Sequence, residues 1–253
     1  MGLGFNNNYI GINLTRQIGQ SHYRMVHSME KLASGLAINR AADDPAGLVI
    51  SERMRARLAG LNQEIENVSN QINRYQTADS ALLQMRGQLT EMRTLALAAA
   101  NDGGLDESAR QAYQDEVDHL ADSYNTTRDN TQFGTQALLD GSDGSVAAVE
   151  TLAAPDLSDA EAAVEAIDAE IEKLDRTLSG VGATQKYGLE SRLSSLRVEA
   201  QNVTAAESQI RDLDYALEFS NFIREKIMFQ AGMSLMAHSY MSPQVVLSLL
   251  SGS

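Results

Sequence analysis

The sequence predicts a mainly α-helical protein, a bundle of long antiparallel helices with paired terminal helices and a small β-hairpin region near residues 125–155. Three observations support this fold class. Proline occurs only at Pro45, Pro155 and Pro243, so residues 46–154 and 156–242 lack the strongest helix breaker. Apolar residues recur at steps of three and four along most of the chain. Aromatic residues make up 5% of the chain and Trp is absent, which disfavours a β-sandwich or barrel.

The first helix is predicted over residues 14–36, where a narrow apolar stripe runs along one face. Ser34 and Gly35 near its end indicate a helix stop, and the segment from Asn39 through Pro45 indicates a turn. Asp43 and Asp44 could form a carboxylate cluster with Glu52. We expect instead that the pair belongs to the turn and caps the helix that follows.

The second helix is predicted to begin near Ala46 and to run past Ala96, ending at the glycine-containing segment 101–104. Its strict heptad positions fall on polar residues at Asp79, Arg86 and Arg93, which favours a bundle over an endless two-stranded coil. A shorter helix starting at 105 follows. Residues 125–155 then lose the helical period and predict a hairpin or meander with turns at two Asp-Gly pairs, 140–141 and 143–144.

A third long helix is predicted after Pro155, capped by Asp156 or Ser158. Its apolar stripe continues to Leu235, and glycines at 180, 182 and 188 weaken its middle. The stripes at the two chain ends cannot bury themselves alone, because isolated helices of this length are marginal in water. We therefore expect the ends to need each other or another subunit, to be disordered in a monomer and to order on assembly.

Charge and composition exclude several classes of protein. The net charge is −14, and residues 101–175 alone carry 19 Asp/Glu against 3 Lys/Arg, which argues against nucleic-acid binding. Cysteine is absent, so thiol catalysis and disulfides are excluded, and no run of 18 apolar residues predicts a membrane span. The four histidines lack metal-ligand spacing. We therefore expect no cofactor, no metal site and no catalytic residues, hence no enzyme, and the N-terminus lacks the pattern of a secretory signal.

Two stretches of sequence carry more specific information than periodicity. Residues 29–54 include Ser-Gly-Leu at 34–36, Ile-Asn at 38–39, Asp-Asp at 43–44 and Ala-Gly-Leu at 46–48. This pattern resembles the N-terminal signature of bacterial flagellin. The matching C-terminal stretches are similar to residues 210–221, 230–235 and 243–250, and the resemblance spans most of residues 1–140 and 156–253.

The resemblance implies a structural subunit that self-assembles into the helical flagellar filament for swimming motility. It further implies an inner coiled-coil domain lining the channel, here 1–44 plus 216–253, and a rod-like outer-tube helical domain, here 45–215. The short segment 125–155 stands where most relatives carry large variable domains. Expected partners are other copies of the chain, the flagellar cap, junction proteins and an export chaperone. The expected location is extracellular, in the flagellum, after export without a cleaved signal peptide.

The resemblance also assigns roles to particular residues. The signature turn comprises Asn39, Asp43, Asp44, Pro45 and Gly47. Many flagellins are bound by a vertebrate Toll-like receptor, and the matching positions are Glu91, Leu95 and Glu116. Glu91 stands where those relatives carry Arg, which implies weak recognition at most. Residues expected to pack in the filament core are Leu14, Ile18, Met25, Met29, Leu32, Leu36, Leu217, Ile223, Ile227, Leu235, Leu247 and Leu250.

Three alternatives remain open at this point. The hook–filament junction protein shares the terminal helices of flagellin, although residues 34–54 and 230–250 keep the flagellin form closely. An enzyme or small-molecule binding module would need convergent polar residues, which the sequence does not offer. A soluble coiled-coil scaffold would fit the periodicity but not the two signatures. Self-assembly without limit distinguishes a filament subunit from each of them.

Overall fold

The computed structural model describes residues 9–100, 106–142, 144 and 146–251, and the side chains of all of these except 10 and 240–251. A two-stranded antiparallel hairpin pairs β1 (Gln132–Phe133) with β2 (Gln136–Ala137). The rest of the described chain is mostly helical, which confirms the predicted fold class. The helices are α1 (Tyr9–Ser34), α2 (Pro45–Ala99), α3 (Glu107–Asn130), α4 (Ala160–Ala183), α5 (Ser191–Arg211) and α6 (Tyr215–Ser251).

The hairpin lies inside the predicted region but turns at a different place, and residues 125–130, which were predicted to lose the helical period, belong to α3. Gly134, with φ of 65°, stands between the two strands, whereas the predicted turns were the Asp-Gly pairs. Asp140 and Gly141 do form a separate turn, in which Asp140 Oδ1 accepts a hydrogen bond from the Ser142 backbone N–H at 2.9 Å. The predicted turn at 143–144 and the predicted helix break at 101–104 lie wholly or partly outside the described residues.

The prediction for the third long helix was wrong about its start and its continuity. Asp156 caps a 3-10 turn, Leu157–Asp159, and Asp159 then caps α4 by accepting from the Ala162 N–H. The start moves because Leu157 is buried, so the chain makes a tight turn around it before the α-helix begins. Farther on, a π-helical segment (Thr184–Glu190) separates α4 from α5, and residues 212–214 separate α5 from α6.

The chain folds into two compact units. The terminal unit contains the described residues up to 59 and those from 201 onward, and the central unit is Gly60–Ala200. In the central unit, α2, α3 and α4 enclose an apolar core that the hairpin region closes with buried Leu138, Leu139, Val146 and Val149. The buried residues of this core on α2 are Ala78, Ala81, Leu82, Met85, Leu89, Met92, Ala96 and Ala99.

Two ion pairs explain two of the three polar heptad positions of α2, Arg86 and Arg93. Arg86 Nε lies 2.6 Å from Asp175 Oδ1, and Arg93 Nε lies 2.5 Å from Asp168 Oδ1. The arginines are seven residues apart on α2 and the aspartates are seven apart on α4. The higher-numbered arginine pairs with the lower-numbered aspartate, so α2 and α4 run antiparallel. All four side chains are nearly half exposed, so each pair adds little stability but helps to fix the register of the two helices.

Candidate assembly interface

The terminal unit is built around the antiparallel pairing of α1 with α6. Thr15 Oγ1 donates to Met236 Sδ at 3.6 Å, and the rings of His22 and Phe229 lie 5.4 Å apart. Arg24 NH1 lies 3.4 Å from Glu225 Oε1. The partner numbers fall on α6 as they rise on α1, which establishes the antiparallel register. The two terminal helices therefore pair with each other, which is one of the two arrangements that their stripes predicted, and they are ordered within one chain rather than only on assembly.

Small side chains let α1 and α6 approach closely. Gly11, Ser21 and Ser28 are buried on α1, along with Ile18. On α6, a Cβ added at Gly232 would stand only 2.7 Å from Cγ1 of Ile18. This distance is well inside a normal carbon–carbon contact. The two helices thus fit together at Ile18 only because position 232 carries no side chain.

The pairing leaves most of the predicted filament-core residues at least partly exposed. Ile18 is buried, and Leu14, Met25, Leu32, Leu36 and Ile223 are half-buried. Met29 is 51% exposed, while Leu217, Ile227 and Leu235 are 57–62% exposed. The side chains of Leu247 and Leu250 lie outside the described part of the structure.

Further large apolar side chains extend the exposed apolar surface of the same two helices. They are Tyr9, Ile12, Tyr23, Val26, Phe219, Met228 and Met233. Scattered exposed apolar residues are ordinary, but this many on one pair of helices indicates a surface that binds another protein. One pair of helices has only one mutual face, so these side chains stay exposed in the single chain.

The predicted signature turn connects α1 to α2 through two aspartates. Asp43 Oδ2 accepts hydrogen bonds from the backbone N–H groups of Asn39 and Arg40, at 3.0 and 2.9 Å. Asp44 Oδ1 accepts from the backbone N–H of Gly47 at 2.9 Å, and Pro45 is the first residue of α2. Asp44 therefore caps α2, whereas Asp43 holds the turn that precedes the helix. A Cβ at Gly47 would collide with the Asp44 side chain and with Ile38.

A second connection, between the two linkers of the terminal unit, was not predicted. The Ala37 N–H donates to the Arg211 carbonyl at 2.8 Å, and the Leu213 N–H donates to the Gly35 carbonyl at 3.0 Å. Asp214 then caps α6 by accepting from the Leu217 N–H. A capping aspartate directly before the helix was a usable sequence signal. The backbone pairing joins residues far apart in sequence, so no local pattern could indicate it.

The termini also match known family models. The model of the bacterial flagellin N-terminal helical region matches residues 5–144, and that of the C-terminal helical region matches residues 164–250. The first match alone covers more than half of the chain. The chain belongs to the flagellin family.

Curated flagellins align over nearly the full chain. The flagellin of Halalkalibacterium halodurans is 37% identical over 270 residues, covering 97% of this chain and 98% of that protein. The flagellin of Bacillus subtilis is 31% identical over 301 residues, covering 97% and 99%. The flagellar filament 31.3 kDa core protein of Treponema maltophilum is 32% identical over 285 residues, also covering 97% and 99%. These alignments are longer than 253 residues, so the relatives carry residues that this short flagellin lacks.

The three positions expected to correspond to a receptor-contact motif, at two of which the residue matches, lie on α2 and α3 of the central unit. Gln84 bonds Thr127 and Gln88 bonds Ser123, and continuing this antiparallel register places Leu95 level with Glu116. Glu91 and Glu116 are exposed, whereas Leu95 packs partly against the core. The structure therefore brings the positions to neighbouring helices.

Lowering the pH should weaken the signature turn of this flagellin. Hydrogen bonds from the backbone N–H of Arg40, then of Asn39, and from His27 Nε2 lower the pKa of Asp43 to about 2, although desolvation acts against them. Because this pKa lies below that of the unfolded chain, the stabilisation is present above about pH 4 and is lost as the pH falls towards 2. We expect Asp43→Asn to cost about 1 kcal/mol at pH 6 and almost nothing at pH 2.

Urea unfolding of the full chain at several pH values from 2 to 6 measures this difference. His27→Gln serves as the matched control, since it removes the ring contact but keeps both backbone hydrogen bonds to Asp43. The difference in free energy of unfolding between wild type and Asp43→Asn should shrink as the pH falls. A difference that stays constant over the whole pH range would contradict the stabilising role assigned to the Asp43 carboxylate.

Proposed function

We infer that this chain is a structural subunit of the bacterial flagellar filament, which self-assembles into a helical polymer that serves swimming motility. The observation that carries this function is the set of exposed apolar side chains on α1 and α6, in a chain whose termini match both flagellin family models. A soluble monomer gains nothing from such a surface, whereas a polymer buries it between subunits.

Assembly follows from what one α1–α6 pair leaves exposed. Each subunit offers apolar faces that differ from each other, so its contacts are heterologous and do not close into a ring unless the rotation allows it. Repetition of such contacts produces a helical filament. Burial of Leu217, Ile227 and Leu235 against neighbouring copies supplies the driving force, since apolar burial stabilises by about 25 cal/mol per Å².

Within the filament, we assign residues 1–44 and 216–253 to an inner coiled-coil domain around the channel. Residues 45–215 form the outer-tube domain, with the hairpin segment 125–155 as its small variable part. The strongly acidic stretch 101–175 suits a surface in contact with solvent. The twelve predicted core residues, Leu247 and Leu250 included, take their places in the inner domain.

The role is structural, and we propose no enzymatic activity. The proposed location is the extracellular flagellum. Partners beyond other copies are the flagellar cap, the junction proteins and an export chaperone. Among the described helices, none has a stretch long and apolar enough to cross a lipid bilayer.

Electron microscopy of seeded assembly tests the function. Purified full-length chain, added to short seeds of its own filament in a precipitating salt, should extend them into long uniform filaments. The chain lacking residues 216–253 should not extend them, because it has lost α6. Failure of the intact chain to extend its own seeds would favour the hook–filament junction protein instead.

Receptor recognition is a separate proposal with its own variant. Glu91 places a negative charge on an exposed position where receptor-bound relatives carry Arg, so we expect weak signalling at most from the purified monomer. The Glu91→Arg variant should raise the signal at least tenfold in cells that express the receptor. Glu107→Arg, an equal charge change at another exposed site of the same unit, serves as control. Strong signalling by the unmodified chain would refute the proposal.

A further inference from the structure

Buried residues recur every seven positions along α4, and this spacing is interrupted by one extra residue before it resumes in α5. Ile167, Leu174 and Val181 are buried at steps of seven. The next step of seven falls on Gly188, which is exposed, whereas Leu189 is half-buried and Leu196, seven residues later, is buried. In a regular α-helix, a residue eight positions on lies about 80° beyond two full turns and would leave the buried line.

The π-helical segment Thr184–Glu190 lies where this extra residue must be absorbed. A π-helix bonds each residue to the fifth one along, so each of its turns holds more residues than an α-turn. The segment contains no buried residue, and Tyr187 is 74% exposed. The segment thus corrects the phase of the helix without contributing to the core.

Side chains on both sides of the π-helical segment form ion pairs with α2 of the central unit. On the α4 side, Arg86 and Arg93 of α2 pair with Asp175 and Asp168. On the α5 side, Arg192 NH2 lies 3.6 Å from Glu64 Oε2. An unburied segment between two fixed ends is the part of the helix that can change its winding at the lowest cost.

We propose that Thr184–Glu190 is a conformational joint, which stores one residue in excess of the helical period and yields before the helices on either side of it. Rewinding the segment as a regular α-helix would move one flank by about 1.5 Å and turn it by about 100° relative to the other. Small distortions of the helix are therefore taken up here, while the buried residues of α4 and α5 keep their contacts.

Deleting one exposed residue tests the joint directly. The ΔTyr187 variant removes the excess residue, so that Leu189 falls in phase with Val181 in an unbroken α-helix. In wild type, amide exchange over 184–190 should be about tenfold faster than over the last two turns of α4, and ΔTyr187 should abolish that difference. The Tm of ΔTyr187, followed by circular dichroism, should equal or exceed that of wild type.

Two control variants distinguish the effect of removing one residue from the effect of losing the Tyr187 side chain. Tyr187→Ala loses the same side chain, with its Lys186 contact, but keeps the residue count, so its exchange should match wild type. ΔAla169 removes an exposed residue from α4, shifts buried residues out of phase and should lower the Tm. A fall in Tm for ΔTyr187 as large as for ΔAla169 would overturn the proposal, as would wild-type exchange over 184–190 that is no faster than in α4.

The role of the joint in a filament rests on the function proposed above, whereas the exchange and Tm measurements do not. Filaments grown from ΔTyr187 should be stiffer than wild-type filaments, with a longer persistence length in fluorescence images. Equal persistence lengths would overturn the filament role of the joint. Failure of wild-type chains to polymerise would overturn the proposed function and leave the exchange result standing.

Discussion

A Gly232→Val variant is expected to lose filament assembly while the central unit keeps its thermal stability. Any side chain at position 232 must occupy space that Ile18 of α1 already fills, since an added Cβ stands 2.7 Å from Cγ1 and 3.5 Å from Cδ1. Overpacking of this kind costs about 1 to 3 kcal/mol. The two helices must therefore move apart at this point, and their apolar faces lose their relative positions.

Seeded extension by electron microscopy measures the loss, and two further variants show its origin. Gly60→Val is the matched control, because position 60 lies on a helix with nothing within 4 Å of an added Cβ. Ile18→Ala combined with Gly232→Val restores space between the helices and should restore assembly in part. If the double variant assembles no better than Gly232→Val, close packing at this position does not control the pairing.

The sequence predicted those parts of the fold that repeat. Apolar residues at steps of three and four mark α1, α2 and α3 because each turn of a helix faces the same core, so many residues carry one signal. The start of α4 was misplaced because Asp156, Ser158 and Asp159 are all suitable caps within four residues. Only the burial of Leu157 selects among them.

The π-helical segment was missed for a different reason. An apolar stripe read from sequence can use steps of three or four residues in any order. Two steps of four connect Val181 to Leu189, so the stripe gives no sign of the extra residue between them. Only the burial pattern of the folded chain, with buried residues at 167, 174, 181 and 196 and a half-buried one at 189, reveals the change of phase. The glycines at 180, 182 and 188 indicated a weak region but not its geometry.

For the assembly interface, the sequence identified the apolar stripes of α1 and α6 but not how the two helices pack against each other. Leu217, Ile227 and Leu235 follow from periodicity, and their exposure in one chain is what an assembling surface requires. The close approach of Gly232 to Ile18 and the pairing of the linkers join residues about 175 to 215 positions apart. Such contacts depend on the register of the whole chain, which no local pattern specifies.

A Leu89→Ala variant is expected to have the opposite effect to Gly232→Val, with lower thermal stability and intact assembly. Leu89 is 0% exposed and belongs to the core of the central unit. Removing its side-chain atoms loses apolar burial and leaves a cavity among close-packed neighbours, at a cost of about 3 kcal/mol. For a unit of this size, that cost lowers the Tm by about 10 °C.

Thermal unfolding followed by circular dichroism measures this change, and Leu83→Ala provides the control. Leu83→Ala makes the same substitution on the same helix, at a position that is 51% exposed. The Tm of this variant should therefore differ from that of wild type by no more than about 2 °C. Well below the Tm of Leu89→Ala, seeds should still be extended, because α1 and α6 are unchanged. Loss of assembly at a temperature where the central unit remains folded would show that polymerisation depends on the central core as well as on the terminal helices. With Gly232→Val, the pair of variants therefore separates the stability of the central unit from the assembly of the terminal unit.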